Sequence, residues 1–74
     1  MNKANKRDDL AKATVLEVMP NTLFKVRYED DGEEGIAYLA GKMRIHRIRV
    51  LVGDTVMVKK DPYGGKGRIV ERKL

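Results

Sequence analysis

The amino-acid sequence predicts an all-β domain built from five short strands. Three observations lead to this prediction: apolar and polar residues alternate in several short segments, turn signals separate those segments, and no long helical period occurs. The chain has 74 residues and no cysteine, so we expect at most one domain, without a disulfide framework to reinforce it. Its stability must therefore come from a small apolar core.

The first two strands are predicted to form a hairpin. The segment ATVLEVM, residues 13–19, is rich in β-branched and apolar residues and ends at a Pro-Asn turn signal. In residues 22–29, Phe24, Val26 and Tyr28 alternate with basic residues, which is the period of a half-buried strand. We therefore expect these three side chains to face the core.

Three further strands follow. The third is IAYLA, residues 36–40, and the fourth is TVMVKK, residues 55–60, with Val56 and Val58 facing inward. The fifth is GRIVERK, residues 67–73, after a long glycine-rich turn. The predicted core consists of Val15, Val26, Ile36, Val56, Val58 and Ile69.

The segment GKMRIHRIRVL, residues 41–51, breaks the strand pattern. Met43 and Ile45 alternate as in a strand, but Ile48 and Val50 have the opposite parity. Ile45 and Ile48 have the i, i+3 spacing of a helical turn, so we predict a short helical turn between strands 3 and 4. Its apolar side would fill the core, with Met43 and Ile45 buried, and its cations would face outward.

Five short strands with such a turn indicate a five-stranded OB-fold barrel, a fold that binds oligonucleotides or oligosaccharides. Residues 1–12 show no period, and we expect a flexible basic tail there. The OB-fold domain would then span residues 13–74.

Charge is segregated along the sequence. The net charge is +5 and the isoelectric point is near 9.7, which favours a polyanionic partner. Residues 29–35 carry five acids and no base, whereas residues 41–49 carry four bases and no acid. Residues 59–73 add six bases against two acids. Two separate basic segments therefore favour a binding surface over merely solvated faces.

Several short motifs resemble those of the bacterial translation initiation factor 1 family. They are PN followed by LFKV, then GKMRIH, RIRVLVGD, PY and GRIVER, in the expected order between Val15 and Arg72. The resemblance implies an OB-fold barrel that binds the small ribosomal subunit at the aminoacyl (A) site. It also implies contact with ribosomal RNA and a neighbouring ribosomal protein, a block on premature tRNA entry, and joint action with the other bacterial initiation factors.

The candidate RNA-binding residues lie in the two basic segments and in the turn between the last two strands. They are Lys42, Arg44, His46, Arg47, Arg49, Tyr63, Lys66, Arg68 and Arg72. Their cations can neutralise phosphates, and arginine can also stack on an unpaired base. For His46, RNA contact, packing against the barrel and capping of the turn stay open. Tyr63 is a candidate for exposed stacking or hydrogen bonding.

Other functions find no support in the sequence. A lone histidine without cysteine predicts no metal site, and GGKGR lacks the spacing of a phosphate-binding loop, so we expect no cofactor. No serine or cysteine nucleophile occurs, and the acids lie in one hydrophilic loop, so we expect no enzyme. The sequence shows no secretory signal or membrane span, which predicts a cytoplasmic protein without membrane contact. We also expect a monomer.

Two alternatives from other classes remain open. A cold-shock-like RNA chaperone would need several surface aromatic residues, which are scarce in this chain. A protein-interaction barrel could use the acidic loop and an apolar patch, with the basic segments serving solubility. Binding to small ribosomal subunits, compared with binding to single-stranded RNA, distinguishes all three.

Overall fold

Five strands close into a barrel in the computed structural model, which describes residues 10–73. The elements are β1 (Leu10–Met19), a 3-10 turn (Pro20–Thr22), β2 (Leu23–Tyr28), β3 (Glu34–Leu39), helix α1 (Gly41–Ile45), β4 (Thr55–Lys59) and β5 (Gly67–Lys73). The all-β class, the five strands and the short helix between the third and fourth strands are confirmed.

The barrel has the strand order β1-β2-β3-β5-β4, and β4 pairs with β1 to close it. All neighbouring strands are antiparallel except β3 and β5, which are parallel. Strand β1 pairs on both edges along part of its length: Ala13 lies opposite Tyr28 of β2 and opposite Val56 of β4. Closure leaves no free edge along this part of β1.

Strand β1 begins at Leu10, three residues before the predicted start. Leu10 pairs with Lys59, and Ala11 pairs with Val58 and is buried. The predicted tail, residues 1–12, was therefore too long at its carboxyl end, because pairing with β4 orders residues that have no periodic signal of their own. The rest of that prediction, residues 1–9, lies outside the described residues.

The core lies inside the barrel and agrees with the prediction at five of six positions. Val15, Val26, Val56, Val58 and Ile69 are all buried, as are Phe24 and Tyr28. The prediction for Ile36 was wrong, because Ile36 is half-buried and its neighbour Ala37 is fully buried. The reason is register: Ala37 lies opposite the buried residues Phe24 and Gly67, which fixes the inward parity of β3.

Helix α1 packs one side chain into the core of the barrel. Met43 is fully buried in the core, as predicted, whereas Ile45 is 77% exposed, so its predicted burial was wrong. Residues in an α-helix are rotated by about 100° from one to the next, so a side chain two positions after Met43 faces nearly the opposite way. Ile48 packs against the core from the segment that follows the helix.

Candidate nucleic-acid interface

Helix α1 ends in a Schellman motif that ties the basic segment to the core. The Ile48 amide donates to the Met43 carbonyl at 3.0 Å, and the Arg47 amide donates to the Arg44 carbonyl at 3.0 Å. In this motif an apolar contact commonly joins the residue after the turn to the last turn of the helix. Here the corresponding residues, Ile48 and Met43, both belong to the core region. The helix end is therefore held by hydrogen bonds and by apolar packing.

Arg47 occupies the position of this motif where glycine is usual. Its φ is 54°, in the left-handed region, which costs an L-residue roughly 1–2 kcal/mol. A non-glycine residue persists in that region only when the surrounding structure fixes it. The Arg47 side chain therefore extends from a backbone conformation that is both fixed and strained.

The basic segment carries four exposed cations, which we name the α1 cations: Lys42, Arg44, Arg47 and Arg49. Within residues 10–73, none of the four has a carboxylate oxygen within 4.0 Å. Their charge is therefore available to an external anion.

The cations of β2 and of the segment after β4 are arranged differently. Glu34 accepts ion pairs from Lys25 at 3.4 Å and from Arg27 at 3.3 Å, and Asp31 pairs with Lys60 at 3.7 Å. The hydrogen bonds from Arg27 and Lys25 hold the pKa of Glu34 below its usual value. Glu34 at the start of β3 and Asp31 in the loop before it thus offset the charge of the cations on their side of the barrel.

A cleft of about 370 Å³ lies between helix α1 and strand β5. Lys42, His46 and Arg72 surround its apolar floor. The floor and rim are completed by Met43, Ile48, Val70 and Glu71. The structure therefore brings three of the predicted residues together around one concave surface.

Arg72 has a structural contact within this region. Its guanidinium donates from Nη1 to the Arg49 carbonyl at 2.6 Å, so strand β5 holds the segment that follows α1. Arg72 is half-buried, in contrast to the exposed α1 cations. One of its five N–H donors is thus engaged inside the protein.

The remaining predicted residues belong to β5 and to the β4–β5 loop, residues 60–66. Tyr63 is 94% exposed, and Lys66 and Arg68 are also exposed. Lys66 and Arg68 line a second cleft of about 270 Å³, together with Tyr38 and Lys59. Arg44, Arg47, Arg49 and Tyr63 line neither cleft.

Sequence reasoning missed Tyr38 and Lys59 as companions of Arg68. Cross-strand pairing places Tyr38 opposite Arg68 and Arg68 opposite Lys59. The alternation in β4 predicts that Lys59 faces outward. Which side chains lie beside it on the neighbouring strands depends on the register of three strands. No pattern local to one strand reports that register.

The described residues contain no other obvious centre of chemistry. Among residues 10–73, no group of three histidine or acidic side chains is placed to hold a metal ion. In the same range, no helix is long and apolar enough to cross a membrane. The basic surfaces are therefore the candidate site.

A family model supplies the deciding comparison. The model described as translation initiation factor 1A / IF-1 matches residues 2–73, which is nearly the whole chain. The chain belongs to this family. The resemblance drawn from the short sequence motifs is thereby confirmed, and with it a role in the initiation of translation.

Solved structures agree with the family. The solution structure of translation initiation factor 1 from the Wolbachia endosymbiont strain TRS of Brugia malayi is 33% identical, with a TM-score of 0.70. The match covers 100% of this chain and 90% of that one. The barrel seen here is thus the OB-fold of an initiation factor of this family.

A second similar structure is larger. The crystal structure of YjeQ from Thermotoga maritima matches at 26% identity with a TM-score of 0.76. The match covers 88% of this chain but 23% of the YjeQ chain. This family member therefore resembles about a quarter of that protein.

Proposed function

We propose that this initiation factor binds the small ribosomal subunit at the A site, mainly through ribosomal RNA. There it blocks premature entry of tRNA, contacts a neighbouring ribosomal protein and assists the other initiation factors. It acts as a monomer in the cytoplasm. The observation that supports the RNA contact most strongly is the set of α1 cations, which lack carboxylate partners within residues 10–73. Lys42 and Arg44 lie on helix α1, and Arg47 and Arg49 lie on the segment that follows it and packs against the core through Ile48.

Rigid presentation of charge favours tight binding to a phosphate backbone. Each neutralised phosphate releases counterions, which contributes a slope of roughly 0.7–0.9 in log affinity against log salt concentration. Side chains held by a fixed backbone lose less conformational entropy on binding than those on a loose segment. The Schellman motif and the buried Met43 fix the backbone from which the α1 cations extend.

Folded RNA suits this surface better than a flexible single strand. A protein that coats single strands uses several exposed aromatic rings on one face. Of the four aromatic residues, Phe24 and Tyr28 are buried, Tyr38 is half-buried and Tyr63 is exposed. No stacking platform forms, whereas cations that face outward fit the phosphates of a folded RNA.

The nine predicted residues divide into four groups in this proposal. The α1 cations bind phosphates, while His46 and Arg72 flank the cleft between α1 and β5, and Arg72 also holds the carbonyl of Arg49. Lys66 and Arg68 bind backbone from the second cleft, and Tyr63 offers an exposed ring at the tip of the β4–β5 loop.

Co-sedimentation with purified small ribosomal subunits tests the proposal. We expect the protein to pellet with the subunits and to bind single-stranded RNA of comparable length far more weakly. Preferential binding to the single strand would instead support an RNA chaperone. Binding to neither would support a protein-interaction barrel.

A charge-matched pair of variants tests the surface itself. Replacing Lys42, Arg44 and Arg47 by alanine removes three cations from α1 and the turn after it, and replacing Lys3, Lys6 and Arg7 removes three near the amino terminus. We expect the first variant to lose much more affinity for the subunit than the second. Circular dichroism must show both variants folded, and equal losses would mean that net charge alone drives binding.

A further inference from the structure

A row of polar side chains lies on the outer face of three strands, apart from the α1 cations. Tyr38 of β3 is paired with Arg68 of β5, and Arg68 is paired with Lys59 of β4. Their chain neighbours Ala37 and Val58 are buried, so the row faces outward. Neighbouring strands lie about 4.8 Å apart, and the row therefore spans roughly 10 Å.

This row forms one wall of the 270 Å³ cleft, and the β4–β5 loop forms the other. Lys66 enters the cleft from the loop. Within residues 10–73, Tyr38, Lys59, Lys66 and Arg68 make no side-chain hydrogen bond and no ion pair. Three cations and one hydroxyl thus face one small concave space with their donors uncommitted.

A fourth cation of the cleft is occupied elsewhere. Lys60 lies 3.7 Å from an Asp31 carboxylate oxygen and 4.3 Å from the centre of the Tyr28 ring. These contacts draw its ammonium towards the acidic loop. The hydrogen-bond donors that remain available in the cleft are therefore those of the row and of Lys66.

Asp61, the one acid that lines the cleft, uses its carboxylate to shape the loop. Its Oδ1 accepts from the Tyr63 amide at 3.1 Å, and its Oδ2 accepts from the Gly65 amide at 2.9 Å. Its carbonyl accepts from the Gly64 amide at 3.0 Å. Asp61 makes no ion pair with a cation of the described residues.

The two glycines of the loop fit this arrangement. Gly64 has a φ of 85°, a conformation that side chains disfavour. A Cβ on Gly65 would collide with Oδ2 of Asp61. A side chain at Gly65 would therefore displace the Asp61 carboxylate, which accepts hydrogen bonds from the Tyr63 and Gly65 amides.

We propose that this cleft binds a phosphate group of RNA and that Asp61 is the positioning residue that holds the β4–β5 loop against it. The proposal deepens the proposed function and rests on it, because it specifies which groups of the second cleft bind the phosphate and which residue positions the loop. Tyr38, Lys59, Lys66 and Arg68 supply the donors. A phosphate offers several acceptor oxygens and negative charge, which match one hydroxyl and three cations.

The first experiment measures affinity for small ribosomal subunits as a function of salt. Tyr38→Phe removes one hydroxyl, and we expect about a tenfold loss of affinity with an unchanged salt slope. Lys59→Gln removes a charge, and we expect a similar loss with a slope reduced by roughly 0.7–0.9. Lys73→Gln, the same charge loss near the far end of β5, is the control and should change affinity little. Equal effects of the two lysine variants, or no effect of Tyr38→Phe, would overturn the phosphate site.

The second experiment uses the opposite signs predicted for Asp61. If Asp61 were only a negative charge beside RNA, Asp61→Ala would strengthen binding. We expect it to weaken binding several-fold, because the loop loses two side-chain hydrogen bonds and Lys66 loses its fixed position. Glu17→Ala removes an exposed acid from β1 and serves as the charge control. Stronger binding by Asp61→Ala would refute the positioning role.

Gly65→Ala tests the loop without changing charge. Its Cβ collides with the Asp61 carboxylate, so this variant should also weaken binding, but it should add little in the Asp61→Ala background. Full additivity of the two losses would show that the contact is unimportant. Thermal unfolding followed by circular dichroism must show that each variant is folded at the assay temperature.

Titration of the labelled protein with a short RNA hairpin, followed by nuclear magnetic resonance, separates the two proposals. We expect shifts at Arg68 Nε and at the Gly65 amide as well as at α1, and weaker shifts at the same groups with inorganic phosphate. Shifts confined to α1 would overturn the cleft, and with it the RNA contact of Lys66 and Arg68, but would leave binding to the small subunit through the α1 cations standing. Failure of the parent protein to bind subunits, with the hairpin shifts present, would overturn the proposed function instead.

Discussion

Two sides of this barrel carry basic side chains that differ in their partners: one set forms ion pairs with nearby acids, and the other does not. Around the acidic loop, Lys25 and Arg27 pair with Glu34, and Lys60 pairs with Asp31. On the α1 side, none of the α1 cations has such a partner within residues 10–73. The comparison shows that the placement of the acids, more than the net charge of +5, defines which surface is available to a polyanion.

The apolar attachment of α1 is the part of the comparison with the largest expected effect. Met43→Ala removes a fully buried side chain, and we expect a loss of about 2–5 kcal/mol in the free energy of unfolding. Ile45→Ala, on the exposed side of the same helix, should change it by less than about 0.5 kcal/mol. Urea denaturation measures both values. A similar loss for the two variants would mean that α1 is not held through Met43.

Removing each set of cations in turn tests the comparison directly. Replacing Lys42, Arg44 and Arg47 by alanine should lower the affinity for small ribosomal subunits on the order of 100-fold, since several charge-assisted contacts are lost together. The salt slope should fall by roughly 2–3. Replacing Lys25, Arg27 and Lys60 should have a much smaller effect, because ion pairs with Glu34 and Asp31 already offset most of their charge. Binding titrations at several salt concentrations would contradict the comparison if the two triple variants behaved alike.

Arg47 offers a sharper test because strain and binding predict opposite changes. Arg47→Gly relieves the left-handed backbone, and we expect it to stabilise the fold by about 1 kcal/mol. The same change removes one α1 cation and should weaken subunit binding about tenfold. Thermal unfolding and binding are measured on the same sample, with Arg47→Ala as the control that loses the cation but keeps the strain. A variant that binds as well as the parent would remove Arg47 from the interface.

The smallest expected effect concerns the ion pairs of Glu34. Its pKa in the folded protein lies below the usual value of 4.5, so its contribution to stability is present above that value and is lost as the pH falls through the folded pKa. Glu34→Gln should therefore be slightly less stable than the parent at neutral pH, and the difference should vanish in acid. Unfolding curves across this pH range measure it. A difference that persists in acid would exclude the ion pairs as its cause.

The strands and the basic segment could be predicted from sequence because each has a local signal. Phe24, Val26 and Tyr28 alternate with polar residues, and Val56 and Val58 do so in β4, so the inward side of both strands was evident. The parity break after Gly41 also located the helix correctly. These features depend on short-range periodicity, which the sequence states directly.

The errors arose where tertiary pairing decides. In β3 every candidate residue is apolar or aromatic, so parity could not separate Ile36 from Ala37 until the partners Phe24 and Gly67 were known. Ile45 has the right helical spacing to Ile48, yet the Schellman turn reverses the chain between them and leaves Ile45 in solvent. The second cleft was missed for the same reason, since it requires the register of three strands.

The double pairing of β1 also has a consequence for the order of folding. Its pairing with β2 is local, whereas its pairing with β4 joins segments on opposite sides of α1 in the sequence. Non-local pairings form slowly because loop closure must precede the contacts that reward it. We therefore expect the β1–β2 hairpin to form early, while α1 gains its fixed position only when the barrel closes around Met43. A chain whose barrel has not yet closed would carry the full positive charge of the basic segment but would lack the rigid arrangement of its cations.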